Sequence, residues 1–298
     1  LFLFIFFWNN CILCFFTMPE SHSRSILAHR TVTVISLIVS IFFTLRYMGG
    51  HWGHHPPGFL VHETPFTANG FVILVYWVYL FINQIFFLSQ YYSSDSSILE
   101  SASGITWHFT VFNLLHALWI YTFSHKHFYI WSEIVLVVNL FNLLYLYVDH
   151  KPYGVKPLSR WLAVHPPTAA LPLSWVMYAI FWNGAVAFQA HKGFVARIFA
   201  NIFIWEFLVV PAVFLVLYND WAIGLSTAVL VFGIGISQFF TKLIALQWIF
   251  AFVISGLLFV LSILFAFPAL TPPQLRKLHE DNRTFTSERA PLLDPSNP

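Results

Sequence analysis

The chain has 298 residues, of which 58% are hydrophobic, 20% aromatic and only 9% charged, with a formal net charge of +2. Soluble domains carry roughly 25% charged residues, so this composition excludes an ordinary water-soluble protein. A net charge this small, spread without a dense lysine or arginine run, argues against nucleic acid as a partner and leaves the lipid bilayer as the first one.

The N-terminal residues 1–17 read LFLFIFFWNNCILCFFT, an apolar stretch with no initiating methionine and no basic flank of the kind a signal peptide carries. We read Met18 as the start and residues 1–17 as a gene-model extension. On that reading Cys11 and Cys14, the only cysteines, drop out, and thiol chemistry with them. Residues 18–30 form a cytoplasmic N-terminus, and residues 31–267 form the membrane domain.

Apolar runs of about 20 residues, each long enough to cross about 30 Å of hydrocarbon as a helix, recur along that domain. Spans are expected near 31–48, 70–91, 104–123, 128–148, 169–189, 195–217, 221–240 and 243–267. Lipid offers no partner to backbone N–H and C=O groups, so the fold class is all-α: a polytopic transmembrane helical bundle of about eight spans. Only TKL around Lys242 divides the last two runs, but one helix there would need more than 40 residues. Short loops on the N-terminal side hold Arg24, Arg30, Lys151, Lys156, Arg160, Arg276, Lys277, Arg283 and Arg289, against Arg46, Lys126, Lys192, Arg197 and Lys242 opposite. Positive residues collect on the cytoplasmic side, which places both termini there.

Between the first two spans stands MGGHWGHHPPGF. Neutral imidazoles ligate zinc and copper, which makes His51, His54 and His55 metal candidates. A single imidazole titrating near pH 6.5 would equally serve as a proton sensor. The HxxHH spacing is not specific, and the surrounding Gly and Pro argue against a helix, so a polar turn is the third reading.

A charge at bilayer depth costs about 2.5 to 3.5 kcal/mol even on the mild insertion scale, which singles out Glu206, the only acid near the middle of a span. Pro211, five residues on, removes an N–H and is expected to kink the helix beside it. Asn113, His116 and Asn139 fall near the same depth, with Asn113 and His116 on one helix face and Asn139 and Asn142 on another. One reading is a ligand pocket in which Glu206 and His116 exchange a proton while carboxamides orient a small molecule. The other is interhelical glue, worth on the order of 0.6 to 2 kcal/mol per polar pair. The VFGIGISQ run, Val231 to Gln238, reads as small residues permitting close helix packing. No GxSxG, Gly-rich phosphate loop or paired catalytic carboxylates stand in the chain, which weighs against an enzyme.

The tail, residues 268–298, is polar and proline-containing, and disorder in the cytoplasm is expected there. It holds ERAPLL, in which Glu288, Leu292 and Leu293 fit the acidic dileucine pattern read by sorting adaptors. The Asn282-Arg283-Thr284 sequon lies on the same side and would stay unmodified.

The strings TPFTANGFVILVYWVYLFINQ, SWVMYAIFWNGAVAF, ARIFANIFIWEFLVV and SQFFTKLIALQWIFAF, in that order and followed by ERAPLL, resemble a fungal family of multi-pass membrane proteins catalogued as a domain of unknown function. The resemblance spans most of residues 18–293 and implies a fungal polytopic membrane protein without implying an activity or a cofactor. It also implies a small residue where this chain has Glu206, which makes Asn113, Asn139 and Asn183 better candidates for a shared pocket. The expectation is therefore a small-molecule or ion carrier or sensor of a vacuolar or endosomal membrane. A histidine-liganded metal or haem membrane enzyme and a structural partner of a membrane complex are the alternatives.

Overall fold

The computed structural model describes residues 22–48, 64–93, 95–188, 194–241 and 246–267. Residues 1–17, the HWGHH stretch with His51, His54 and His55, and the tail with Glu288, Leu292 and Leu293 lie outside the described residues.

The described residues are helical, with no strand among them. The helices are α1 (His22–Met48), α2 (Gly70–Ser89), α3 (Ser96–Phe123), α4 (Tyr129–Asp149), α5 (Leu158–His165), α6 (Leu171–Ala187), α7 (Phe194–Phe203), α8 (Glu206–Tyr218), α9 (Trp221–Thr241) and α10 (Gln247–Ala266). Seven segments among the described residues are long and apolar enough to cross a membrane: Leu27–Tyr47, Gly70–Tyr92, Tyr129–Asp149, Leu158–Ala187, Ile198–Tyr218, Trp221–Thr241 and Gln247–Ala266. The eighth expected span is α3, which is 28 residues long but interrupted by Thr106, His108, Thr110, Asn113, His116 and Thr122. Its polar side chains face inward, where Thr106, Thr110, Asn113 and His116 are buried.

The fifth span begins earlier than its apolar run suggests. Pro166 and Pro167 lack an N–H and would end a regular helix. Here the chain widens into a π-helical turn over Pro166–Ala170, with the Leu171 N–H reaching the Pro166 carbonyl, so α5 and α6 continue into one another. The sixth span bends in a different place from the one Pro211 suggests. The helix is interrupted at Ile204–Trp205, just before Glu206, and α8 then runs on through Pro211.

Packing sets the order of the bundle. Helices α9 and α10 lie antiparallel: Ser255 donates to the Ala228 carbonyl at 2.9 Å, and Gly235 faces Phe252. The glycines admit these neighbours. A Cβ on Gly235 would stand 2.8 Å from the Phe252 ring, and one on Gly233 would stand 2.9 Å from Val72 Cγ1. Gly233 also lets the extended segment before α2 enter the bundle, where the Asn69 N–H donates to the Gly233 carbonyl at 2.9 Å. Thr64, Phe66, Thr67 and Ala68 of that segment are buried, with the Ala68 N–H on Tyr178 Oη and the Gln238 amide on the Thr64 carbonyl.

One end of the bundle is tied together from several helices. Arg30 donates to the Tyr91 carbonyl, Tyr91 Oη reaches the Ala102 carbonyl at 2.9 Å, and Arg160 reaches Ser101 Oγ at 3.3 Å. His165 bonds Asp220, which precedes α9, and Gly224 of α9 packs on Ser262 of α10. The start of α1 and the end of α10 therefore share one end of the bundle.

Candidate functional site

The centre of the bundle is built from aromatic rings around His116, which is 1% exposed. The rings of Trp77, Phe112, Trp119 and Trp175 lie 5.6 to 6.2 Å from its imidazole, and Thr44 Oγ1 lies 3.3 Å from Nε2. This is a packed histidine with one polar neighbour.

One turn along α3 the core becomes polar. Asn113 is fully buried and donates to its own helix at the Phe109 carbonyl, 3.1 Å away, while Asn139 of α4 donates to the Phe112 carbonyl at 3.4 Å. Because each Nδ2 is identified by a carbonyl acceptor, the remaining atoms, Asn113 Oδ1 and Asn139 Oδ1, are acceptors, and neither has a partner. Helix register brings further groups to this level. Thr44 meets His116 across α1 and α3, which run parallel from the Arg30 end, so Ser40, one turn back, falls at the level of Phe112 and Asn113. Trp77 meets His116 and Phe87 meets Phe109 across α2 and α3, so Gln84 falls at the level of Phe109 to Asn113. Ser40 Oγ, both polar atoms of Gln84 and Thr110 Oγ1 are buried without a partner as well. Four helices thus turn neutral amide and hydroxyl groups toward one level of the core. Leaving such a group unpaired costs about 1 to 3 kcal/mol.

The other expected site residues are dispersed. Asn183 is fully buried and saturated: its Oδ1 accepts from Ser132 Oγ at 2.6 Å and Trp119 Nε1 at 3.3 Å, and its Nδ2 donates to the Tyr129 carbonyl at 3.0 Å and Glu133 Oε2 at 2.6 Å. It lies one aromatic layer away from His116, across Trp119. Glu206 is exposed in the first turn of α8, on the outer face of the bundle. An exposed carboxyl and a sealed imidazole do not form the proton-exchanging pair the sequence suggests. Asn142 serves α3 instead: its Oδ1 accepts from His108 Nδ1 at 2.9 Å, and its Nδ2 donates to the His108 carbonyl at 3.1 Å.

A buried site unforeseen in the sequence stands at the Arg30 end. Asp220 is 1% exposed and receives four hydrogen bonds: Tyr147 Oη at 2.9 Å and His165 Nε2 at 2.8 Å on Oδ2, and the Ala222 and Ile223 N–H groups at 3.2 and 3.3 Å on Oδ1. The two backbone donors make it the N-cap of α9, and the other two tie in α4 and α5. Asn219 enables the turn by adopting left-handed backbone, φ 58°. An Asn-Asp pair directly before an apolar run is the signal that could have found the cap; the His and Tyr partners come only from tertiary packing. No group of three or more His, Cys, Asp or Glu is placed to hold a metal among the described residues. His125, just past the end of α3, bonds the Tyr121 carbonyl of that helix at 2.7 Å.

Comparison with known proteins adds no activity. Residues 197–293 match the family described as a fungal protein of unknown function (DUF1774), a stretch that holds α8, α9 and α10 but not the amide cluster. An uncharacterized protein of Schizosaccharomyces pombe is 28% identical over 239 residues, covering 79% of this chain and 83% of the relative. No solved structure matches.

Proposed function

We propose, taking the chain as a fungal membrane protein similar to that family, that it binds a small polar solute inside the bundle and carries it across, or senses it in, an internal membrane. The supporting observation is the cluster of unpaired neutral groups on Ser40, Gln84, Thr110, Asn113 and Asn139. A hydrated or hydrogen-bonding solute between these helices would satisfy atoms that otherwise stand unpaired in an apolar core. The cluster carries no formal charge, so its chemistry suits an uncharged polyol or amide, or a monovalent cation held by amide and hydroxyl oxygens, better than a multivalent anion. His116 and the surrounding tryptophans form the apolar wall next to it.

We place the protein in the vacuolar or endosomal membrane, with both termini cytoplasmic, on the loop charges and the dileucine pattern at Glu288, Leu292 and Leu293. Sorting adaptors are the partners that pattern would engage. Alanine at Leu292 and Leu293 should redirect a tagged protein to another membrane; unchanged vacuolar or endosomal targeting would remove the sorting argument.

The binding reading is tested by thermal unfolding in detergent against a panel of uncharged solutes and monovalent salts. At least one should stabilise the wild type, and its effect should vanish in Asn139→Leu and Gln84→Leu. A panel without effect on the wild type, or an equal shift in the variants, would contradict it.

A further inference from the structure

The geometry points to a second site: a lipid groove on the outside of α4 that takes a single-tailed amphiphile with a primary amine head. The groove, about 270 Å³, is walled by Ile130, Ile134, Val137, Val138 and Phe141 of α4 and closed by Phe188 after α6. Glu133 is the only polar side chain in that wall. Ile130, Phe141 and Phe188 are 65%, 66% and 81% exposed, so the groove opens outward onto the acyl chains that surround a membrane bundle.

The carboxyl is a built feature. Its Oε2 is held at 2.6 Å by the amide of Asn183, which is itself fully buried and fixed by Ser132, Trp119 and the Tyr129 carbonyl. Its Oε1 has no hydrogen-bond partner among the described residues. Glu133 is also placed at the right height. It follows the first residue of α4 by four positions, about 6 Å along the helix axis, so it lies within about one turn of the end of the span. An acceptor oxygen near the end of a span, beside an apolar trough, fits an ammonium over an alkyl tail. A carboxylate pairs with an ammonium by charge as well as by hydrogen bond, whereas an alcohol offers the bond alone and a fatty acid brings like charge.

Native mass spectrometry of the full chain released from micelles containing octadecylamine, octadecanol or stearic acid tests this directly. The wild type should retain one octadecylamine, about tenfold in preference to octadecanol and without retaining stearic acid. Glu133→Gln keeps a carbonyl oxygen for Asn183 and should abolish the amine preference. Val138→Trp, which fills the groove from an outward-facing position and leaves the carboxyl in place, should abolish retention of both amine and alcohol. Equal retention of the three lipids, a preference for octadecanol, a preference that survives Glu133→Gln, or full amine retention by Val138→Trp would each overturn the proposal.

Discussion

Two buried polar regions of this bundle differ in how completely they are paired. At the Arg30 end, the Asp220 carboxylate receives four donors from Tyr147, His165 and two backbone amides, and it sits where α4, α5 and α9 meet. At the centre, Asn113 and Asn139 each place one N–H on a backbone carbonyl and leave the side-chain oxygen bare, at the level of an unpaired Gln84. A well-paired network, here closed except at His165 Nδ1, holds helices in one arrangement, because any movement breaks several bonds at once. An unsaturated one gains from a partner and costs stability without it. The first region is therefore a structural clamp, and the second is where a solute would act.

Several substitutions break or sharpen that contrast. The largest effect is expected from Asp220→Ala, which strips the cap of α9 and leaves His165 and Tyr147 facing a void; removing one partner of a buried pair costs about 3 to 5 kcal/mol. Thermal unfolding in detergent should show a large drop in midpoint, with Asp220→Asn falling between it and the wild type. Next comes Gly233→Val, whose Cβ would meet Val72 Cγ1 at 2.9 Å and Ala68 Cβ at 3.2 Å. Overpacking of this kind costs about 1 to 3 kcal/mol, and protease accessibility near Thr64 to Asn69 should rise together with the loss. Asn183→Leu should destabilise as well, since it frees Glu133, Ser132 and Trp119 at once. The smallest effect is expected from Glu206→Gln on the outer face, within about 0.5 kcal/mol of the wild type and without change in solute response.

The same contrast explains what the sequence made legible. The spans are written in composition, since 20-residue apolar runs have one structural solution in lipid. The division between α9 and α10 and the close packing of the Gly233 to Gly235 region followed from length and residue size. The fifth span extends N-terminal to the expected 169–189 because a π-helical turn absorbs the two N–H groups that Pro166 and Pro167 lack, an accommodation that residue type alone does not announce. Glu206 looked central because depth along a helix can be counted, whereas the direction a side chain faces depends on which neighbours cover it. Helix α8 presents that residue outward. Asn113 and Asn139 were identifiable as polar groups at similar depth on successive spans. Ser40, Gln84 and Thr110 were not, because an isolated Ser, Gln or Thr in an apolar run carries no signal until the helices are docked in register.

The most direct measurement is the thermal midpoint of Asn113→Leu and Asn139→Leu beside that of Asp220→Asn, all in detergent without added solute. Replacing an amide whose oxygen is buried and unpaired by a side chain of similar volume removes a desolvation cost of about 1 to 3 kcal/mol, which outweighs the one N–H bond lost, so both leucine variants should unfold at or above the wild-type temperature while Asp220→Asn unfolds below it. Leucine variants that fall as far as Asp220→Asn would contradict the account, and would make the central amides structural glue.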